Sequence, residues 1–121
     1  MKMCEEMQKL RDRLDKIGIA WEDASSSTPE HIIEEMVREG FERRYCDVTI
    51  YRTHFTINDI NYSVIYGYGT YGGYDPVFDK DSGLLELWAK NYNNDEPCGY
   101  MTADDVIKAI FEEDNNAFEN N

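Results

Sequence analysis

The segment NYSVIYGYGTYGGY at residues 61–74 begins as an alternating strand and ends as a loop of glycine and tyrosine. It contains five of the nine tyrosines and four of the eight glycines. Successive side chains of a strand point to opposite faces, so a strand over residues 62–68 would place its large apolar side chains together. We expect residues 62–66 to lie in the core and residues 67–74 to form the part of the segment that meets a partner.

Two further strands are predicted around this segment. Residues 47–57 alternate and are rich in β-branched and aromatic side chains, which is typical of a strand. A turn at residues 58–61 would join them to the strand at residues 62–68 as an antiparallel hairpin. The third strand, LLELWAK at residues 84–90, follows a long loop at residues 70–83. Together the three strands would form a small antiparallel meander.

Three helices are predicted from apolar spacing and from helix-end signals. The first helix carries an apolar stripe at Met3, Met7, Leu10, Leu14 and Ile17. Gly18 would end this helix in a left-handed conformation. A second helix is predicted at residues 29–39, with the hydroxyl of Thr28 as its cap. The sequence TADD at residues 102–105 is a capping box that starts the last helix, which would end near Asp114.

The predicted fold is therefore α+β, with the element order α-α-β-β-β-α and a three-stranded antiparallel sheet. Helices packed on one face of the sheet would leave tyrosine and tryptophan side chains available on the other. Residues 1–114 are predicted to form a single small domain, because a chain of 121 residues is long enough for one modest core. Residues 115–121 are expected to be a frayed acidic tail.

Charge is strongly negative and unevenly distributed. The chain has 25 acidic and 12 basic residues, a formal net charge of −13, and residues 75–121 carry −9 of it. Such a field repels nucleic-acid phosphates and anionic lipids but attracts basic protein surfaces. We therefore predict a partner with a basic surface, no direct binding of nucleic acid and no membrane association; a surface that serves only solubility is the alternative. The basic cluster of Arg38, Arg43 and Arg44 is expected to pair with nearby glutamates.

Motifs for cofactors, metals and catalysis are weak. The pattern G-x-G-x-x-G at residues 67–72 matches a dinucleotide fingerprint, but the next predicted element is a strand where that fingerprint needs a helix. The glycines instead indicate positive backbone angles, a bulge or the close approach of another chain. The acids of residues 75–83 resemble only part of a calcium loop, and His31 and His54 lack neighbours at zinc-ligand spacing. We therefore predict no cofactor, no metal and no enzymatic activity, since no nucleophile–base pair stands out.

The cysteines and the first residues indicate the compartment. Cys4, Cys46 and Cys98 have no regular spacing and are expected to be free thiols in a reducing cytosol. Residues 1–10 are charged and do not fit a signal peptide, and no apolar run reaches membrane-spanning length. The sequence therefore predicts a cytoplasmic protein.

The tyrosines of the loop are the candidate anchors for a partner. Tyrosine combines a large contact area with a polar tip and a small loss of side-chain entropy, so it is favoured at interfaces. The candidate partner-binding residues are Tyr68, Tyr71, Tyr74, Asp75, Asp79, Asp81, Glu86 and Trp88. The alternative interpretation is that the tyrosines pack inside the protein.

Four short stretches form a recognisable pattern. They are YSVI at residues 62–65, GYGTYGG at 67–73, GLLELW at 83–88 and GYMTADDV at 99–106. The pattern resembles a group of small acidic proteins encoded by phages and prophages of gut bacteria. The resemblance covers about residues 52–110 and also LDKIGIAW at residues 14–21, whereas residues 29–46 resemble an insertion. It implies a setting in the cytosol of a bacterial host and, because small acidic phage proteins are often inhibitors of host defence, an anti-defence role.

The leading hypothesis is a non-enzymatic protein that inhibits a host defence or nucleic-acid-processing protein, such as a nuclease. Its acidic, tyrosine-rich surface would act as a nucleic-acid mimic, in the manner of an anti-CRISPR protein. One alternative is a small-ligand binder, such as a sponge for a nucleotide immune signal, that uses stacked tyrosines and glycine amides. Another is a phage accessory protein with no defence role. The partner's identity and the oligomeric state do not follow from these features.

Overall fold

The computed structural model describes residues 1–119, and it describes side chains for residues 1–111. In chain order the elements are α1 (Glu5–Ile17), β1 (Trp21–Asp23), α2 (Glu30–Arg38), α3 (Arg43–Cys46), β2 (Ile50–Ile57), β3 (Ile60–Gly67), β4 (Tyr74–Asp75), β5 (Lys80–Asp81), β6 (Leu85–Ala89), β7 (Cys98–Met101) and α4 (Ala103–Glu119). A single 3-10 turn at Asn93–Asp95 lies between β6 and β7. The predicted α+β class is confirmed.

The main sheet has five antiparallel strands in the order β1-β2-β3-β6-β7, and β4 and β5 form a separate two-stranded hairpin. The prediction of a three-stranded sheet is therefore wrong, and so is the order α-α-β-β-β-α. Strands β1 and β7 have three and four residues, too few for the alternation of side chains to be recognised. Strands β4 and β5 have two residues each and lie within the stretch expected to be a loop.

The predicted hairpin forms the centre of the main sheet. Strands β2 and β3 pair antiparallel, with Thr53 opposite Val64 and Phe55 opposite Tyr62. Asn58 and Asp59 make the turn with φ angles of 51° and 65°. Two consecutive left-handed residues give the turn whose twist matches that of paired strands, and asparagine and aspartate tolerate this conformation. Local turn chemistry and strand patterning therefore agree on one register.

The core lies between one face of the main sheet and helices α1 and α4. Its buried side chains come from α1 (Met7, Leu10, Leu14), the sheet (Phe55, Tyr62, Val64, Tyr66, Leu85, Leu87, Ala89, Met101) and α4 (Ala103, Val106, Ile107, Ile110). Burial of a large apolar side chain contributes about 1.5–3 kcal/mol, so these contacts supply the main driving force for folding. Tyr62 and Tyr66 are 4% and 2% exposed, which confirms that the first half of the opening segment is core.

Two of the predicted helix ends form in the folded chain as the sequence indicates. Gly18 ends α1 with a φ of 88°, and its amide donates to the carbonyls of Leu14 and Asp15, as predicted. The capping box also forms, because the amide of Asp105 donates to Oγ1 of Thr102 at 3.1 Å and the amide of Thr102 donates to Oδ2 of Asp105 at 3.0 Å. Helix α4 continues to Glu119, beyond the predicted end near Asp114.

The fraying expected for residues 115–121 stays a prediction. Residues 115–119 continue the backbone of α4, and residues 120 and 121 lie outside the described residues. Over residues 1–119, no helix is both long enough and apolar enough to cross a membrane.

Helix α2 begins differently from the prediction. Its cap position is Pro29, with no side-chain cap, and Oγ1 of Thr28 instead accepts a hydrogen bond from the amide of Val48 at 3.2 Å. The hydroxyl therefore links the start of α2 to the residues just before β2 and does not cap the amides of the helix. Ile33 on α2 and Cys46 on α3 are buried outside the main core.

Candidate functional site

The Gly/Tyr loop, residues 67–74, is a structured element with its own backbone hydrogen bonds. The amide of Gly69 donates to the carbonyl of Tyr74 at 2.8 Å, and the amide of Gly73 donates to the carbonyl of Thr70 at 3.1 Å. Oγ1 of Thr70 accepts from the amide of Gly67 at 3.0 Å and donates to its carbonyl at 2.9 Å. The loop therefore has a defined backbone conformation of its own.

The loop is also fastened to the main sheet through close backbone contacts. The amide of Tyr100 donates to the carbonyl of Tyr71 at 3.1 Å, and the amide of Leu84 donates to the carbonyl of Gly72 at 2.8 Å. A Cβ atom at Gly72 would lie 2.9 Å from the backbone of Tyr100, and one at Gly99 would lie 2.3 Å from Cβ of Tyr71. Gly67, Gly69 and Gly72 have the predicted positive backbone angles, and the close approach at Gly72 and Gly99 is to segments of the same chain.

The three predicted tyrosine anchors differ in exposure. Tyr71 is 60% exposed, whereas Tyr68 and Tyr74 are half-buried and their ring centroids lie 6.5 Å apart. The hydroxyl of Tyr74 donates to Oδ1 of Asp79 at 2.6 Å, and this hydrogen bond raises the pKa of Tyr74 to about 12. Of the three rings, that of Tyr71 is therefore the most accessible to solvent.

The predicted acidic residues all contact their own chain. Asp75 accepts the amide of Val77 at 2.9 Å, within the tip of the β4–β5 hairpin. Asp81 accepts the hydroxyl of buried Tyr66, and burial together with this carboxylate raises the pKa of Tyr66. Both Asp75 and Asp81 remain exposed, so each holds local structure and still contributes negative charge at the surface.

Glu86 does not lie on the accessible surface, contrary to its selection as a partner-binding residue. Glu86 is only 9% exposed, and its Oε1 accepts a hydrogen bond of 2.8 Å from the amide of Tyr71. A buried carboxylate needs such donors, because an unpaired one would lose its hydration without compensation. Glu86 therefore supports the Gly/Tyr loop from the sheet beneath it.

Three exposed apolar residues near the loop were not identified from the sequence. Val77 and Phe78 are 66% and 78% exposed at the tip of the β4–β5 hairpin, and Tyr100 is 65% exposed on β7. The exposure of Val77 and Phe78 could have been predicted, because they form an apolar pair within a loop sequence of glycine, proline and aspartate, where no core is available to bury them. For Tyr100 no comparable local signal exists.

Two of these residues, Phe78 and Tyr100, line a cleft of about 720 Å³. We call it the aromatic cleft, lined by the side chains of Tyr71, Tyr74, Phe78 and Tyr100 and by the backbone of the loop glycines. Asp75 and Lys80, which pair across the β4–β5 hairpin, also line it. The cleft thus combines several aromatic surfaces with one acidic and one basic side chain.

Tyr100 has a backbone conformation that is unusual for its residue type. Its φ is 56°, in the left-handed region, and the pairing of β6 with β7 shifts register between Leu85 and Leu87. An irregularity of this kind turns a side chain away from its regular direction. Here the displaced strand presents an aromatic ring to the aromatic cleft and to solvent.

Trp88 lies apart from the aromatic cleft, so the structure does not bring all predicted site residues together. It borders a second cleft of about 1030 Å³, the sheet-face cleft, which is lined by residues from both faces of the main sheet, among them Phe55 and Tyr62 of the core, and by the connection between α1 and β1. Its indole Nε1 donates to the carbonyl of Asp95 at 3.0 Å. Glu22, His54 and Ser63 lie beside it, because the register pairs Glu22 with His54, His54 with Ser63 and Ser63 with Trp88.

The row of Glu22, His54 and Ser63 could not be seen in the sequence, because it depends on the pairing of β1, β2 and β3. Among the described residues no hydrogen bond joins the three side chains, whose arrangement is that of neighbours on a sheet face. Polar groups beside a tryptophan ring are typical of a small-ligand site. Over the same described residues, no three His, Cys, Asp or Glu side chains are grouped as a metal ion requires.

The basic cluster and the cysteines follow their predictions in part. Both terminal oxygens of Glu30 accept from Nη2 of Arg43 at 2.8 Å, and Arg44 forms an ion pair with Glu42 at 2.7 Å. The predicted local pairing is therefore confirmed for these two arginines. Cys4, Cys46 and Cys98 are free thiols, also as predicted.

No model of a protein family matches the chain, and comparisons with curated proteins and with solved structures likewise found no match.

Proposed function

We propose that this chain is a non-enzymatic binding protein that blocks a host defence or nucleic-acid-processing protein by covering its basic surface. The observation that carries the proposal is the exposed aromatic surface formed by Tyr71, Phe78 and Tyr100 in a chain of net charge −13. The resemblance to small acidic phage proteins supplies the setting of a bacterial cytosol.

The aromatic part of the surface supports a binding role through its position. Phe78 is at the tip of a hairpin and Tyr71 is on a loop that is fastened on both sides, so each ring is presented on an ordered backbone. Exposed aromatic side chains contribute little to the stability of the free protein, whereas in an interface they supply large desolvated contacts. A contiguous exposed apolar patch rimmed by polar residues is typical of a protein interaction site.

The charge supports the choice of partner. Exposed Asp75, Asp79 and Asp81 lie on the same hairpin as Phe78, so negative charge surrounds the aromatic tip. Opposite charge on a partner would accelerate encounter and select basic surfaces over acidic ones. Nucleases and other nucleic-acid-processing proteins carry such surfaces because they must bind phosphate backbones.

A second candidate function is favoured by the sheet-face cleft. Trp88 offers a flat ring there, and Asn61, His54 and Ser63 offer hydrogen-bonding groups beside it. This combination suits a planar polar ligand such as a nucleotide base, in keeping with the alternative of an immune-signal sponge. The third candidate is a phage accessory protein with no defence role, and under this hypothesis we expect no basic partner.

The test of the proposed function is affinity capture from a gut-bacterial lysate at about 50 mM and about 500 mM salt, since screening weakens exposed charge pairs as salt rises. We expect a basic nuclease or defence effector at low salt, reduced recovery at high salt, and inhibition of that protein's activity by the purified chain. Phe78→Ser should abolish capture.

The matched control is Phe41→Ser, which changes an equally large ring that is 54% exposed between α2 and α3, away from the aromatic cleft. Capture that is indifferent to both salt and Phe78→Ser would contradict the proposal. Binding of cyclic nucleotides that depends on Trp88 would favour the second candidate.

A further inference from the structure

We propose that the aromatic cleft receives an arginine side chain of the partner. This inference rests on the proposed function, and it adds the chemical group that the surface recognises. Three features of the cleft support it: the number of exposed rings, the backbone conformation of Tyr100, and the charge around the rim.

The walls of the cleft are suited to a flat, cationic group. Tyr71, Phe78 and Tyr100 are all at least 60% exposed and border one concavity, which the glycines of the loop also line. A guanidinium group is planar, weakly hydrated and able to stack on aromatic rings while it donates hydrogen bonds along its edge. A lysine ammonium is a more strongly hydrated point charge and would lose more by leaving water.

The position of Tyr100 indicates that its ring serves binding more than folding. A left-handed φ of 56° is unfavourable for tyrosine, and the ring is 65% exposed, so its side chain gains little burial in return. Glycine would adopt the same backbone conformation without strain. Strained residues with exposed side chains are typical of functional sites, where the side chain has a use outside the fold.

The charges around the cleft favour a cation over an anion. Asp75 lines the cleft, and one of its oxygens accepts the amides of Val77 and Phe78 at 2.9 Å and 3.3 Å, which leaves the other oxygen for a guanidinium. Lys80 pairs with Asp75 in the hairpin register and balances its formal charge, but exposed Asp79 and Asp81 lie on the same hairpin. The net charge of −13 on the whole chain supplies the remaining attraction.

The test is a titration of the full-length chain, labelled with nitrogen-15, with three peptides of sequence Ac-GSXSG-NH2. X is arginine, lysine or citrulline, which has the size and shape of arginine but no charge. We expect the amides of Tyr71, Phe78 and Tyr100 to shift with the arginine peptide. Binding should be about threefold to fivefold tighter than for citrulline, as expected for a partly exposed cation–π contact, and also tighter than for lysine, whose ammonium group is more strongly hydrated. Equal binding of the citrulline peptide, or shifts confined to the sheet-face cleft or to α4, would overturn the inference.

The variant Tyr100→Gly tests whether the preference for arginine depends on the ring of Tyr100. Tyr100→Gly should unfold at the same temperature as the wild type or a higher one, and it should lose the arginine preference. Retained preference would overturn the inference. The peptide series uses the wild-type chain, so it decides the question even if this variant does not fold.

The two proposals can fail separately. Salt-sensitive capture of a basic partner that depends on Phe78, without any preference for the arginine peptide, would overturn this inference and leave the proposed function standing. An arginine preference at the cleft, without capture of any basic partner, would overturn the proposed function and leave the chemistry of the cleft intact.

Discussion

The amide of Tyr100 on β7 donates a hydrogen bond of 3.1 Å to the carbonyl of Tyr71 in the Gly/Tyr loop. This contact brings two exposed rings, separated by 29 positions in the sequence, to the same cleft. It is possible because Gly99, next to Tyr100, has no Cβ to collide with Tyr71. The junction between the loop and the strand therefore sets the geometry of the proposed interface.

Gly99→Ala should destabilise this junction. The added Cβ would lie 2.3 Å from Cβ of Tyr71 and 2.8 Å from its carbonyl oxygen, so the loop must move away. We expect a loss of about 2–3 kcal/mol in the free energy of unfolding, measured by urea denaturation. The control is Gly83→Ala, where nothing lies within 4 Å and only the φ of 63° is strained, with an expected loss of about 1 kcal/mol. Equal losses for the two variants would contradict a steric role for Gly99.

Glu86→Ala should lower stability through a buried, unpaired amide. The substitution removes the acceptor of the Tyr71 amide at a residue that is 9% exposed, and we expect a loss of about 1–3 kcal/mol in the free energy of unfolding. Glu86→Gln keeps a carbonyl acceptor and should lose less. A Glu86→Ala variant as stable as the wild type would show that Glu86 does not support the loop.

The capping box should make stability depend on pH below about 4. Hydrogen bonds from the Thr102 amide and hydroxyl hold the pKa of Asp105 below its usual range. The unfolded chain therefore takes up a proton first, and the stabilisation is complete above the ordinary aspartate pKa and is lost as pH falls through the lower folded pKa.

This dependence can be measured by urea denaturation at pH 7 and pH 3. Asp105→Asn should lose stability at pH 7 and show a smaller further loss at pH 3 than the wild type. Asp59→Asn, a change in an exposed turn where asparagine is equally suited, should keep the wild-type dependence. An Asp105→Asn variant with the full wild-type loss would contradict the assignment.

Phe78→Ser should leave the fold unchanged, because the side chain is 78% exposed and lies outside the core. We expect a change within about 0.5 kcal/mol in the free energy of unfolding, as for ordinary surface substitutions. The measurement is urea denaturation beside the wild type and Phe41→Ser. A large loss of stability would show that the hairpin tip packs on its own chain and would remove it as a binding surface.

The features that could be predicted from the sequence are those for which several local signals agree. The alternation of β2 and β3 and the left-handed turn at Asn58 and Asp59 point to the same hairpin, and the capping box at Thr102 needs no distant residue. These features depend on neighbours in the chain, so one sequence suffices to predict them.

The remaining features depend on residues far apart in the sequence. The sequence predicts Thr28 as a helix cap, but its hydroxyl oxygen accepts a hydrogen bond from the amide of Val48. Glu86 alternates as an outward-facing residue, but the Gly/Tyr loop covers it. Tyr100 acquires its left-handed backbone only where β7 meets β6 and the loop. The aromatic cleft is therefore a product of tertiary contacts, and only Tyr71 and Tyr74 among its rings were predicted.

The most direct test of the central claim is the affinity of the captured basic partner for the purified wild type, Phe78→Ser and Phe41→Ser, measured by calorimetry at about 50 mM and about 300 mM salt. We predict that Phe78→Ser weakens binding by at least about tenfold, as for an interface hot spot, while Phe41→Ser binds like the wild type and high salt weakens both. Equal affinities for the three proteins at both salt concentrations would contradict the claim that this acidic aromatic surface binds the partner.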